Sequence, residues 1–185
     1  MAGGAERPFA ELLESVAAHT AAPGGGSAAA WAGALGAALV EMAARFVGAD
    51  DVIARAGELR SELVAAGERE LTSYEPVLRA VQVPPDAPER AKRLAEALSS
   101  ASESPLAIVR ATAHVADLGL SVARRSKPAI AGDAVAGVLL AEAACRAAAR
   151  LVEINLADRE GDPRVAEATA LADGAAGARE EALGG

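Results

Sequence analysis

Residues able to do chemistry are few in this chain, and they gather in four places. The first is Pro23-Gly24-Gly25-Gly26-Ser27, which opens into the small, apolar run Ala28 to Val40. Three successive glycines are a poor start for packed structure, because glycine loses the most backbone entropy on folding. A serine after them, at the head of an Ala-rich segment, is a residue type that caps a helix N-terminus. The pattern puts flexible N–H groups at the positive end of a buried helix, which suits an anionic ligand or a developing negative charge. No lysine follows, so this is not a nucleotide phosphate loop. The same run also reads as a flexible N-cap loop with no ligand.

The second place is Asp133, at the head of another apolar run. It either caps that helix or serves as a catalytic carboxylate. The third is His19, in the loop before the glycines and therefore a candidate acid or base, together with Glu70 and Tyr74. These two are spaced i,i+4 on one helical face, where they line a site or merely pack. The fourth is Arg124, Arg125 and Lys127, a basic group beside Asp133 in an acidic chain. It is a clamp for a polyanion or the cations that a helix C-terminus favours, and Lys127 lies past that helix. His114 shares a face with Arg110, Asp117 and Ser121 and reads as solvated. No group of His, Cys, Asp and Glu has metal-ligand spacing, so no metal is expected.

The elements that must position these residues are helices. Hydrophobic residues are 52% of the 185, aromatics only 2%, and alanine, the best helix former, is more than a quarter. Strand formers are sparse. Pro8 starts a short helix to about Ala18. Ser27 to about Val47 is apolar nearly all round and should lie centrally, with Gly33 and Gly36 allowing close approach and Glu41 paired to Arg45. Asp50 or Asp51 caps a helix to about Val81 that Pro76 kinks or restarts. Gln82 to Pro88 is a turn, and Pro88 to about Leu98 a helix. Ser99 to Ser104 is a break, after which Pro105 opens a helix to about Ala123. Arg124 to Gly132 is a loop, and Asp133 caps a helix to about Ala157. Gly161-Asp162-Pro163 stops it, and a last helix runs to about Ala182. The expected fold is a single all-α domain over residues 1–185, an up-and-down bundle of five or six main helices, with a core of about 8–160 and a C-terminal helix and tail at 163–185. Helix parity puts the glycine loop at one end and the 124–132 loop at the other. They would meet across an antiparallel dimer, or within one chain if the helix count differs by one.

Composition also excludes classes of function. A net charge of −8 argues against nucleic acid, which needs a basic face. The single Cys145 forbids an internal disulfide and suits a reducing, cytoplasmic setting. No signal peptide is read at Met1 to Arg7. The uncharged run Ala28–Val40 is 13 residues, short for a membrane span.

An ordered set of landmarks resembles the formimidoyltetrahydrofolate cyclodeaminase and methenyltetrahydrofolate cyclohydrolase family. They are Thr20 to Ala29 with its Pro-Gly-Gly-Gly-Ser, Glu70-Leu71-Thr72-Ser73-Tyr74-Glu75-Pro76-Val77, Ser104-Pro105-Leu106, the Asp133–Ala144 segment and Ile154-Asn155-Leu156. They cover about residues 9–160. The resemblance implies a dimerising helical bundle that binds a tetrahydrofolate derivative as substrate near the subunit interface, without a tightly bound cofactor. In one family reaction N10 of the folate attacks a formimino carbon and ammonia leaves. In the other, water attacks the methenyl carbon between N5 and N10. Both carbons belong to a delocalised cation that a carboxylate can stabilise. By this resemblance Asp133 would stabilise the cation, Gly24 to Ser27 with Glu70 and Tyr74 would hold ligand, and Arg125 and Lys127 would meet the glutamate tail. The chain departs from the family pattern at Ser126-Lys127, Gly132, Leu151 and the stretch Gly48 to Val52, and it has Glu70 where aspartate is usual. Those departures keep open a non-catalytic small-molecule-binding homologue and, beyond it, a purely structural bundle.

Overall fold

A computed structural model describes residues 8–184. Every described element is a helix: α1 (Phe9–Ala17), α2 (Gly25–Val47), α3 (Asp50–Ser73), α4 (Glu75–Val81), α5 (Arg90–Ala101), α6 (Glu103–Arg125), α7 (Pro128–Asn155) and α8 (Pro163–Gly184). Five of them are long, at 22 to 28 residues, and form the expected all-α bundle.

Cross-helix neighbours give the directions. Gly33 of α2 faces Leu63 of α3 and Thr112 of α6, and Val40 of α2 faces Gly119 of α6. Arg110 and Arg124 of α6 pair with Glu167 and Glu181 of α8. Helices α2, α6 and α8 therefore run one way and α3 and α7 the other, as helix parity requires. The starts of α2, α6 and α8 and the ends of α3 and α7 share one end, the glycine end.

Alanine buries little area, so such a core is stable only if the backbones come close. At the α2–α7 crossing they do. A Cβ added to Gly36 would lie 2.9 Å from the Gly137 carbonyl oxygen, and one added to Gly137 would lie 2.9 Å from that of Gly36. Ala30, Ala37, Ala44, Ala141 and Ala148 around it are fully buried. Helix α2 is not apolar all round to a purpose inside one chain, since it exposes Leu35, Met42 and Phe46.

Several helix starts differ from the sequence reading, among them α5, which opens at Arg90 rather than Pro88. Helix α2 begins at Gly25 with Gly24 as its N-cap, so Ser27 is inside the first turn and does not cap. Ala49, not Asp50 or Asp51, precedes α3, and both aspartates sit in its first turn. The break before α6 is Ser102 alone, with Pro105 in the first turn, where its missing N–H has no helical partner to lose. Helix α7 begins at Pro128, a favoured first residue, with Lys127 at the N-cap. The 124–132 loop thus shrinks to Ser126-Lys127, and Asp133 lies in the second turn of α7. By length and composition α2, the α5–α6 segment and α7 are each able to cross a membrane. The uncharged run underestimated them; in this fold they pack on one another.

Candidate active site at the glycine end

Glu70, in the last turn of α3, lies over the start of α2. A Cβ on Gly26 would fall 1.8 Å from Glu70 Oε2 and 2.6 Å from its Cδ, so only glycine leaves room for the carboxyl group there. Ser73 Oγ donates to Glu70 Oε1 at 3.3 Å. Together these contacts hold the carboxylate at a cavity of about 170 Å³ whose walls include Gly24, Gly25, Tyr74, Pro105, Leu151 and Asn155. The start of α2 lies here without a side-chain cap, so its first-turn N–H groups have no helical partners at this cavity. Asn155 Nδ2 donates to the Ala101 carbonyl at 3.3 Å and ties the end of α7 to the α5–α6 joint.

One ion-pair group braces this wall from behind. The Arg164 guanidinium donates to the Ser99 carbonyl and hydroxyl at 2.9 and 2.8 Å, and to Asp162 and Glu103. Its hydrogen bond to Asp162 holds that carboxyl down at about 2. The start of α8 is thereby fastened to α5 and α6.

The structure divides the sequence candidates between the two ends. Gly24, Gly25, Gly26, Glu70 and Tyr74 line the glycine-end cavity. His19 lies exposed in the loop before it and is not part of its wall. Ser27 is 1% exposed, and its hydroxyl donates to the Gly67 carbonyl of α3 at 3.1 Å, so it faces the helix seam rather than the cavity. Asp133 and Lys127 are exposed at the far end of the same chain. Arg125 folds onto its own helix, donating to the Ser121 carbonyl at 3.0 Å, while Arg124 pairs with Glu181. The larger cavity, about 490 Å³, is at this far end among α6, α7 and α8. Its polar groups are already paired or exposed, and no carboxylate is held in it as Glu70 is. Among the described residues no His, Cys, Asp or Glu group is arranged to hold a metal.

Ser73, Pro105, Leu151 and Asn155 complete the site and were not singled out as site residues. Asn155 carried a signal, a lone amide closing an otherwise apolar helix. Ser73 carried one only as the residue before Tyr74.

With the geometry in view, the comparisons agree on ancestry. The model of the formiminotransferase-cyclodeaminase family matches residues 8–172. A methenyltetrahydrofolate cyclohydrolase of Methylorubrum extorquens is 34% identical over 159 residues, covering 78% of this chain and 76% of the relative. The chain belongs to this family. The crystal structure of a formiminotetrahydrofolate cyclodeaminase from Thermotoga maritima superposes with a TM-score of 0.83 over 97% of this chain and 96% of that one; at 21% identity it speaks for the fold.

Proposed function

We propose that this protein is a folate one-carbon enzyme that hydrolyses a methenyl bridge at the glycine-end cavity, with Glu70 as the carboxylate beside the reacting carbon. The observation that carries the reading is Glu70 itself, pinned over Gly26 at the start of α2 and facing a small cavity. The relative's activity supports the choice of hydrolysis over deamination. Water would add to the cationic carbon between N5 and N10 and the bond to N5 would break. Of the two protons of water, one ends on N5 and one leaves to solvent. Glu70 would offset the positive charge and accept the first proton.

The reading includes a homodimer. A cavity of about 170 Å³ is below the roughly 300–1,000 Å³ of small-molecule sites. Helix α7 exposes Asp133, Leu139, Ala147 and Ile154, and Leu35, Met42 and Phe46 of α2 are exposed as well. Antiparallel pairing of two such faces would carry the second copy's Asp133 toward Leu151 and Asn155, and Lys127 and Arg125 with it. A cytoplasmic setting without membrane or tightly bound cofactor belongs to the same proposal, and the buried, unpaired Cys145 supports it.

The test is the loss of methenyl absorbance in Glu70→Gln, expected about 10²-fold slower than the wild-type chain. An unchanged rate overturns the role of Glu70. Ammonia release from a formimino substrate, with no methenyl hydrolysis, would make the reaction the deamination. Folate binding without turnover of either would mark a non-catalytic homologue. Mixing Glu70→Gln with Asp133→Asn chains checks the shared site: both variants are then inactive alone and mixed dimers regain one intact site, whereas with independent sites Asp133→Asn is active by itself and mixing restores nothing.

A further inference from the structure

The glycine-rich run ends in a serine whose hydroxyl does not reach the cavity. Ser27 Oγ instead donates across the α2–α3 seam to the Gly67 carbonyl at 3.1 Å, in a fully buried setting. A carbonyl has two lone pairs, so the bond adds a tie between helices without disturbing α3. Gly67 is also the floor for Trp31, one turn further along α2. A Cβ there would lie 2.4 Å from Trp31 Nε1, and that nitrogen is buried with no hydrogen-bond partner. The indole is therefore held by packing alone; the directional contacts across this seam are the Ser27 hydrogen bond near the cavity and, farther along, the Arg60–Glu41 ion pair at 3.1 Å. Glu70 is three residues beyond Gly67, one turn closer to the cavity, and Gly26 is the neighbour of Ser27.

We infer that Ser27 is a positioning residue: its bond to Gly67 ties the cavity end of α2 to α3 and so seats the Glu70 carboxylate over Gly26. The inference rests on Glu70 being the reacting carboxylate. Ser27 touches no ligand and acts only through Glu70. Misplacement of a reacting group by an ångström costs rate far more than binding. A loosened tie would therefore lower kcat and leave KM in place.

The experiment is a double-mutant cycle on methenyltetrahydrofolate hydrolysis, with thermal melting of each variant. Ser27→Ala is expected to lower kcat about tenfold with KM within about twofold. On a Glu70→Gln background the same change is expected to alter kcat by less than about twofold, because the group it positions is already lost. Ser27→Cys fills the site with a slightly larger group and a weaker donor and should fall between serine and alanine, which serves if the alanine variant folds poorly. An equal loss of kcat from Ser27→Ala on both backgrounds would show general loosening and overturn the inference. So would a wild-type kcat in Ser27→Ala, or a raised KM at unchanged kcat, which would make Ser27 a ligand contact. A Glu70→Gln chain at the wild-type rate fails the functional reading itself and is distinguishable from these.

Discussion

The two ends of the bundle hold similar residue types in opposite conditions. At the glycine end one carboxylate is fitted against a glycine, hydrogen-bonded by Ser73 and enclosed in a small cavity. At the far end Asp133 and Lys127 are exposed, Arg125 bonds its own helix and Arg124 is taken by Glu181. The larger cavity is there, yet the held chemistry is not. Volume and charge count are poor guides to a site in an Ala-rich bundle. What distinguishes the glycine end is a side chain whose position other residues dictate.

The sharpest way to break that contrast is a pair of glycine substitutions. Gly26→Ala places a Cβ against the tip of a flexible side chain, so the fold survives while Glu70 is displaced. We expect kcat for methenyl hydrolysis to fall about 10²-fold with a near-normal melting temperature. Gly132→Ala, with nothing within 4 Å of the new atom, should leave the rate alone and raise stability by up to about 1 kcal/mol, since alanine suits a helix better. Equal rates for the two variants would erase the difference between the ends.

Midway, Gly137→Ala meets the Gly36 carbonyl and Val40 Cγ2, which cannot turn away. It should cost about 1–3 kcal/mol in denaturant unfolding. Smaller still is Lys127→Ala. If a second copy brings this end to the cavity, KM rises up to about fivefold at constant kcat, the scale of an exposed charge contact. If the ends stay apart, KM does not move, and the dimer reading suffers.

The smallest effect concerns the brace behind the glycine-end wall. Asp162 titrates at about 2 in the folded chain, below the roughly 3.9 of an unfolded aspartate. Its contribution is full above the unfolded value and is lost as pH falls through about 2. The melting-temperature gap between the wild-type chain and Asp162→Asn should be constant from pH 7 to about 5 and close on acidification. A gap that widens toward acid would contradict the ion-pair brace.

Much of this was legible locally. Pro76 restarting a helix, Pro163 opening the last one and the Glu41–Arg45 pair depend on residues a few positions apart. The misreadings came where tertiary contact overrode local preference. Ser27 is a cap by type, but the helix begins two residues earlier and the serine hydroxyl is taken by the Gly67 carbonyl of α3. Asp133 is also a cap by type, yet Pro128 had already begun its helix five residues earlier. Asn155 and Ser73 reach one cavity from helices more than 80 residues apart, a convergence that no spacing rule expresses.

By itself the sequence determined an all-α chain, the number and order of its long helices and, through parity, the separation of the two notable loops. Those follow from propensity, periodicity and breakers, which act over one or two turns. The tertiary structure decided which way Ser27 points, that Glu70 rather than Asp133 is the carboxylate held within a single copy, and which polar residues share its cavity. These depend on the register between helices, set by glycine contacts as far apart as Gly26–Glu70 and Gly36–Gly137. Each fit is a small steric matter. Only their joint satisfaction along whole helices selects one register.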